Sequence, residues 1–595
     1  MQLKQKSGVL AKLHQWRVTK ISNKNFLVIL SVLVGIIGGL AASGLKVLTH
    51  TIESFLQNNV QWEYKYYIYI FFPFVGITLT VLYIRRFFRH NFEKGITPIL
   101  YAISRRSSNI SAHNIYSQIF TSALTVGFGG SSGLEAPIAY SGSAIGSTVG
   151  RFFGLNYREV TMLLACGAAA GIAGAFNSPI AGVVFAIEIL LPEFSIPAFI
   201  PLLMSAATAS VVSKVFYSDP LFHVVTDSWV MPALIFYVIL AVLIGGFSIY
   251  FAKINDLVRN WFTAISNPYH KLIVGGLSLG VLIFIFPALY GEGYISLQQL
   301  MMGKGDSLLA NSIFSEYKDI GIVVVLYAVV TVFAKSFATL ITLNSGGNGG
   351  TFGPSLVMGG VLGFAFAYGV NLTGIIHLNE TNFLMVGMAG ALSGIMHAPL
   401  TAVFLIAEIT GGYTLMVPLM LVSAISYFIN RGVLKYSIYT KKLAQRGDWL
   451  SYGDKDKTVL RMMKLRYVLE RNFTVLRPDE YPSDRRSDII HTKRNIFPVV
   501  DHEGILVGII YSERLLSILM GEEEMNKNMR ELAQAPNEVV RMDANMYDVM
   551  LKMDREDIWI LPVVDENGHY LGFVSKSAIF NKYRALLVRQ ASYLG

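Results

Sequence analysis

The stretch Gly129–Gly146, GGSSGLEAPIAYSGSAIG, decides how the rest of the chain is read. Its glycines surround one carboxylate, Glu135, inside an otherwise membrane-like region. A second stretch, Gly346–Gly363, reads GGNGGTFGPSLVMGGVLG. Aligned on Pro137 and Pro354, the two share Gly129/Gly346, Gly130/Gly347, Gly133/Gly350, Gly142/Gly359 and Gly146/Gly363, and Glu135 aligns with Phe352. Glycine permits close backbone approach and unusual dihedrals, so amide N–H groups can converge on a small ligand. Short helices starting just after Gly133 and Gly350 would add N-terminal N–H groups and positive dipole ends. That combination favours an anion. The two loops are therefore expected to build one polar site, with Glu135 as its titrating group. Intramembrane carboxylates are functional by default, and this one is read as a gate that competes with the anion and leaves when protonated.

A second match follows in the same order and at nearly the same offset. Gly167–Ile189 reads GAAAGIAGAFNSPIAGVVFAIEI and Gly387–Ile409 reads GMAGALSGIMHAPLTAVFLIAEI. Gly174/Gly394, Pro179/Pro399, Val183/Val403, Glu188/Glu408 and Ile189/Ile409 coincide. Two homologous halves are the pattern of transporters whose site lies at the repeat interface. Glu188 and Glu408, kept at one position of both copies, are read as serving each half's packing or hydrogen bonding. His397, aligned with Asn177, is read as a hydrogen-bonded loop residue.

Composition sets the solvent. The 595 residues are 53% hydrophobic and 15% charged, with mean hydropathy +0.49, whereas soluble domains are about a quarter charged. The last part of the chain is normally charged, which indicates a large membrane domain followed by a soluble one. The net charge of +10 is explained by basic residues on cytoplasmic flanks rather than by nucleic acid. A single cysteine, Cys166, rules out an internal disulfide.

Lys4, Lys6, Lys12, Arg17, Lys20 and Lys24 precede an uncharged run over 26–45, long enough to span a bilayer. A second run over 66–84 ends at Arg85, Arg86 and Arg89, so both basic ends are expected on the cytoplasmic side. From about 95 to 215, and again from 344 to 410, apolar segments are short and broken by Gly, Pro and Ser. Such backbone survives at membrane depth only where it is buried in protein or lines a cavity. Ordinary spans are expected near 232–251, 272–289, 320–340 and 413–429. The fold class is thus a mainly α, polytopic membrane protein with two homologous helical repeats and broken helices, the repeats inverted if each half holds an odd number of spans.

After a polar linker over 441–460, Ile496–Gly508 (IFPVVDHEGILVG) repeats as Ile560–Gly572 (ILPVVDENGHYLG). Each unit reads as a strand, an acidic-Gly turn and a second strand leading to a helix, together a small α/β pair. The expected domains are 1–25, an N-terminal segment; 26–440, the membrane domain; 441–460, the linker; and 461–520 and 535–592, the paired units.

The clear intramembrane ionisable groups, Glu135, Glu188, Lys335 and Glu408, supply too little acid for a divalent-cation pore, and no metal site is expected. There is no H-E-x-x-H, and Glu135 has no His or second acid close in sequence, which argues against an enzyme.

These residues resemble the CLC family of chloride channels and proton–chloride antiporters over nearly the whole chain. Gly133-Leu134-Glu135-Ala136-Pro137 is similar to the family's G-[KR]-E-G-P motif, whose glutamate is the external gate and proton acceptor. Gly350-Thr351-Phe352-Gly353-Pro354 is similar to G-x-F-x-P, which implies that the Thr351 and Phe352 amides bind chloride. Tyr436, in Leu434-Lys435-Tyr436-Ser437-Ile438, is matched to the family's late tyrosine, whose hydroxyl contacts the anion. The terminal pair resembles CBS domains. The resemblance implies a homodimer in a plasma or bacterial inner membrane, with N-terminus and CBS pair cytoplasmic.

The departures carry as much information. The family's G-S-G-I-P stands here as Lys94-Gly95-Ile96-Thr97-Pro98, so Gly95 replaces the anion-coordinating serine and Thr97 is the nearby hydroxyl. Gly95, Ile96, Thr97, Thr351, Phe352 and Tyr436 form the expected anion-lining set. Leu134 and Ala136 replace the basic residue and second glycine around the gate. Ile189 stands where proton-coupled members commonly carry a second glutamate, and an isoleucine carries no proton. The resulting expectation is a chloride channel gated by Glu135. A proton-coupled chloride antiporter, or more remotely a CBS-regulated cation transporter, is the alternative. CBS nucleotide sites often end in an acid or Asn that binds ribose, but here those positions are Arg514 and Ala578. The pair is accordingly read as a dimer scaffold at least as readily as an adenine-nucleotide sensor, and no other cofactor is expected.

Overall fold

The computed structural model describes residues 22–58, 70–88, 92–191, 196–217, 228–310, 312–446, 460, 463–521 and 526–591. Lys4, Lys6, Lys12, Arg17, Lys20, Arg89 and most of the 441–460 linker lie outside the described residues. The chain divides into two compact units, residues 1–449 and 450–595.

The first unit is helical: α1 (Asn23–Asn58), α2 (Phe72–Phe87), α3 (Thr97–Arg105), α4 (Asn114–Gly127), α5 (Glu135–Phe152), α6 (Tyr157–Phe176), α7 (Pro179–Phe185), α8 (Ile196–Phe216), α9 (Leu234–Ala264), α10 (Pro268–Ile285), α11 (Tyr294–Met301), α12 (Gly321–Ser345), α13 (Phe352–Leu372), α14 (Glu380–Met396), α15 (Pro399–Ile409), α16 (Met416–Val433) and α17 (Lys441–Gln445). Among the described residues, eight helices are long and apolar enough to cross a membrane. Their outer faces expose Ile235, Leu243, Val281, Ile322 and Leu326, as a lipid-facing surface does when tails are as apolar as leucine. Helix α1 outruns its apolar stretch and carries Lys46 and Glu53 within its last turns. Residues 441–446 are not linker: α17 is helical, Leu443 is buried against the membrane core and Lys441 pairs with Asp256.

The repeat seen in sequence is a repeat in packing. Helices α5 and α13 begin one residue before matched dipeptides ending in Pro137 and Pro354, where a missing N–H costs nothing. Helices α6 and α14 end at Asn177 (φ 54°) and His397 (φ 59°), left-handed caps two residues before Pro179 and Pro399. A Cβ at Gly142 or Gly146 would collide with the carbonyls of Gly167 or Leu163, and one at Gly359 or Gly363 with those of Gly387 or Phe383. Both repeats therefore cross a helix pair backbone against backbone, which only small residues allow.

The contacts between halves are reciprocal. Gly133 N donates to Gly350 O at 2.9 Å and Gly350 N to Gly133 O at 2.8 Å. Ser131 N donates to Thr342 Oγ1 at 3.2 Å, and Asn348 N to Thr125 Oγ1 at 2.9 Å. Glu408 accepts from the Ile180 and Ala181 amides at 2.9 and 2.8 Å, while Glu188 accepts from Leu400 and Thr401 at 3.1 and 2.8 Å. Repeat-related residues meeting crosswise are what a two-fold relation between halves requires. The two glutamates thus cap each other's partner helix, as N-terminal amides demand of a buried helix end.

In the second unit, β1 (Ile496–Val500) pairs antiparallel with β2 (Leu506–Tyr511), followed by α18 (Ser512–Leu519). A three-stranded sheet has the order β3 (Val540–Arg541), β4 (Ile560–Val564), β5 (Tyr570–Ser575), with α19 (Met546–Arg555) between β3 and β4 and α20 (Lys576–Ala591) after β5. The register shifts at Val499/Val500 in one hairpin and at Val563/Val564 in the other, so the small repeat is also structural. The hairpin turns touch: Leu506 N donates to Gly568 O at 3.3 Å and Tyr570 N to Gly504 O at 2.9 Å.

Candidate functional site

The N-termini of α3, α5 and α13 meet through a short series of side chains. Glu135 opens α5 and is 3% exposed. Its carboxylate lies at the start of the other repeat's helix: Oε2 accepts from Gly353 N at 3.2 Å, and Oε1 accepts from the Tyr294 hydroxyl at 2.5 Å. Hydrogen bonds to a charged group are worth about 1.5–3 kcal/mol each, and the α13 dipole adds to them. Together they offset the cost of placing a carboxylate where water is scarce. A Cβ at Gly353 would come within 2.8 Å of Glu135 Oε1 and of the Tyr294 hydroxyl, so both side-chain ends would have to shift.

Thr351 and Phe352 precede that amide. Phe352 is buried against Phe176 and Phe185, with ring centroids 5.7 and 6.3 Å away. Thr351 Oγ1 lies 3.4 Å from the Tyr439 hydroxyl, and Thr97 Oγ1 at the start of α3 donates to Tyr439 O at 2.9 Å. The tyrosine that stands between Thr351 and Thr97 is Tyr439, not the expected Tyr436. Tyr439 is buried, whereas Tyr436 is half-buried with the Lys435 ammonium over its ring. The two tyrosines lie three residues apart on one short segment. Burial and the Thr97 contact separate them.

Gly95 has φ 79°, and a Cβ there would meet nothing within 4 Å, so its need for glycine is conformational. Ile96 is buried. Lys94, just before it, donates to Gly346 O and Gly347 O at 2.5 and 3.0 Å. That bond ties the altered first motif to the glycines of the second loop. Gly133 and Gly350 are joined by the reciprocal bridge described above, and a Cβ on Gly350 would come within 2.7 Å of Ala136 Cβ.

Ile189, 8% exposed, lies in the core where α7 widens into a π-helical turn, Ala186–Leu190. The repeat-related α15 remains α-helical throughout. Such single π turns recur at functional positions. His397 Nε2 lies 2.8 Å from Asn430 Oδ1, consistent with a hydrogen-bonded cap.

A second acid missed in sequence stands beside Glu135. Glu292 Oε1 accepts from Leu134 N, the amide just before Glu135, at 3.1 Å. It comes from the Gly291–Gly293 turn, far away in the chain, where no repeat marks it. Lys335 is buried and braces that turn by donating to Leu289 O and Gly291 O at 3.2 and 2.9 Å. Among the described residues, no group of three or more His, Cys, Asp or Glu is placed to hold a metal ion.

A family model for the voltage-gated chloride channel matches residues 76–431, more than half of the chain. The chain belongs to this family. A CBS-domain model matches residues 529–585. The chain is 26% identical over 412 residues to the H+/Cl− exchange transporter ClcA of Vibrio vulnificus, covering 66% of this chain and 84% of that protein. It is 29% identical over 293 residues to the voltage-gated ClC-type chloride channel ClcB of Escherichia coli, covering 48% and 66%. The crystal structure of a slow cyanobacterial Cl−/H+ antiporter superposes with a TM-score of 0.58 at 22% identity, over 73% of this chain and all of that one. The CLC fold follows from that likeness together with the family match.

Proposed function

We propose that this protein passes chloride or a similar anion across a membrane as a channel whose gate is Glu135. The observation that carries this reading is the position of the Glu135 carboxylate on the Gly353 amide at the start of α13. A helix N-terminus is an anion seat, so the carboxylate stands in for the anion there. Protonation removes the charge that holds it, and the seat opens. Gly95, Ile96, Thr97, Thr351, Phe352 and, in place of Tyr436, Tyr439 are the lining set, with Gly133 and Gly350 positioning the two helix starts. The N-terminus and the CBS pair are taken as cytoplasmic from the basic flanks, and a homodimer from the family. Arg514 and Ala578 at the ribose positions favour a scaffold role for the CBS pair over adenine-nucleotide binding.

The preference for a channel rests on Ile189, which is apolar and packed within the core. Coupled antiport is the second reading, supported by the name of the Vibrio relative. The reversal potential of purified protein in opposed chloride and pH gradients separates them. A channel reverses at the chloride equilibrium potential at every pH gradient. A reversal potential that moves with the proton gradient, or uphill proton movement driven by chloride, would replace the channel with an antiporter.

A further inference from the structure

The segment Leu289–Tyr294 holds the gate at two points. Tyr294 donates to the Glu135 carboxylate, and two residues earlier Glu292 accepts from the amide that precedes Glu135. Gly293 between them has φ 95°, a conformation glycine adopts without strain, and it brings both side chains to one helix end. Glu292 is half-buried whereas Glu135 is 3% exposed, so Glu292 is the less deeply enclosed of the two residues. Leu134 is the repeat counterpart of Thr351, so each repeat's first amides hold a carboxylate supplied from elsewhere in the fold.

We propose that Glu292 is the second acid of the gate: Glu135 and Glu292 titrate as a coupled pair, and Glu292 passes protons between solvent and Glu135. This rests on the reading of Glu135 as the gate. In the hand-off the O–H bond of a protonated Glu292 breaks and an O–H bond forms on Glu135. Glu292 is left anionic and is reprotonated from solvent. The charged and titratable groups around the pair are Lys46 and Glu53 from α1, Lys335 from α12, Tyr294 from α11 and Tyr439 from the segment after α16. Two neighbouring carboxylates do not ionise independently, and their protons come off in steps that belong to the pair. By the basic-flank rule this cluster lies on the outer side.

The test is chloride flux against pH for the full chain in liposomes, comparing wild type with Glu292→Gln, Glu292→Ala and Glu135→Gln. Glutamine keeps an acceptor for the Leu134 amide but carries neither charge nor exchangeable acid proton. Removing the neighbouring negative charge leaves Glu135 easier to ionise, so Glu292→Gln should need about tenfold more protons for half-activation and should respond more slowly to a pH step. A Glu292→Gln profile equal to wild type overturns the proposal while a flat Glu135→Gln profile keeps the gate. A defect in Glu292→Ala that Glu292→Gln fully restores makes Glu292 a structural peg and also overturns it. A pH response persisting in Glu135→Gln overturns the gate itself. Should Glu292→Gln not assemble, Glu53→Gln takes its place: losing that charge leaves Glu292 easier to ionise, so a smaller shift in the opposite direction supports the pair, and no shift overturns it.

Discussion

The loops 129–137 and 346–354 share backbone, glycines and a proline, yet one carries a carboxylate and the other an aromatic ring at the matched position. Both begin a helix at the same point, and each donates an amide to the other across Gly133 and Gly350. Where the first loop has Glu135, the second has the buried ring of Phe352. The acid of the first copy therefore reaches over to the amides of the second, and the second has no acid with which to reply. A symmetric scaffold with an asymmetric pair of residues yields one site that holds a single carboxylate. The shared residues explain assembly, and the differing ones explain function.

The largest effects are expected where the copies are alike. Gly142→Ala and Gly359→Ala each push a methyl group into a neighbouring backbone carbonyl, and overpacking of this kind costs about 1–3 kcal/mol or more. Both should lower thermal stability in detergent by similar amounts. A large loss in only one copy would break the equivalence of the two helix crossings.

The crossed caps are of the same order. Glu188→Ala and Glu408→Ala each strand two amides of the opposite half, at about 1–3 kcal/mol for each unsatisfied group. The corresponding Gln variants should lose less. Glu188 also accepts from the Thr401 hydroxyl at 2.7 Å, so its alanine variant should be the weaker of the two. Chemical denaturation midpoints check the order.

Smaller effects belong to the unlike residues. Tyr294→Phe removes the 2.5 Å donor from Glu135, and a bond to a charged group is worth about 1.5–3 kcal/mol. The carboxylate should leave its seat more readily, raising chloride flux at neutral pH roughly tenfold or more with little change in fold. Tyr439→Phe removes only a 3.4 Å contact to Thr351, so flux should change about two- to threefold, more than for Tyr436→Phe. Equal effects of the two tyrosine variants in the same flux assay would undo the reassignment.

The scaffold was largely legible in sequence, because a duplicated backbone leaves duplicated glycines and prolines. Gly142 and Gly359 mark the backbone crossings, and Asn177 and His397 the left-handed caps. Glu188 and Glu408 announced a shared structural duty by recurring. What escaped was whatever has no copy. Glu292 and Tyr294 sit in an irregular turn of the second half, with neither periodicity nor repeat to mark them. Tyr439 and Tyr436 differ in tertiary burial, not in local pattern, so sequence does not separate them. Lys46 and Glu53 lie in helical continuation of an apolar span, and hydropathy alone stops α1 too soon.

The central claim is that the Glu135 carboxylate occupies the anion seat and yields it on protonation. Chloride flux through Glu135→Gln in liposomes between pH 4.5 and 8 tests it most directly, the range being set at about that of a perturbed carboxylate. A neutral side chain at this position should give flux that is high and flat with pH. Flux that keeps the wild-type pH dependence would contradict the account.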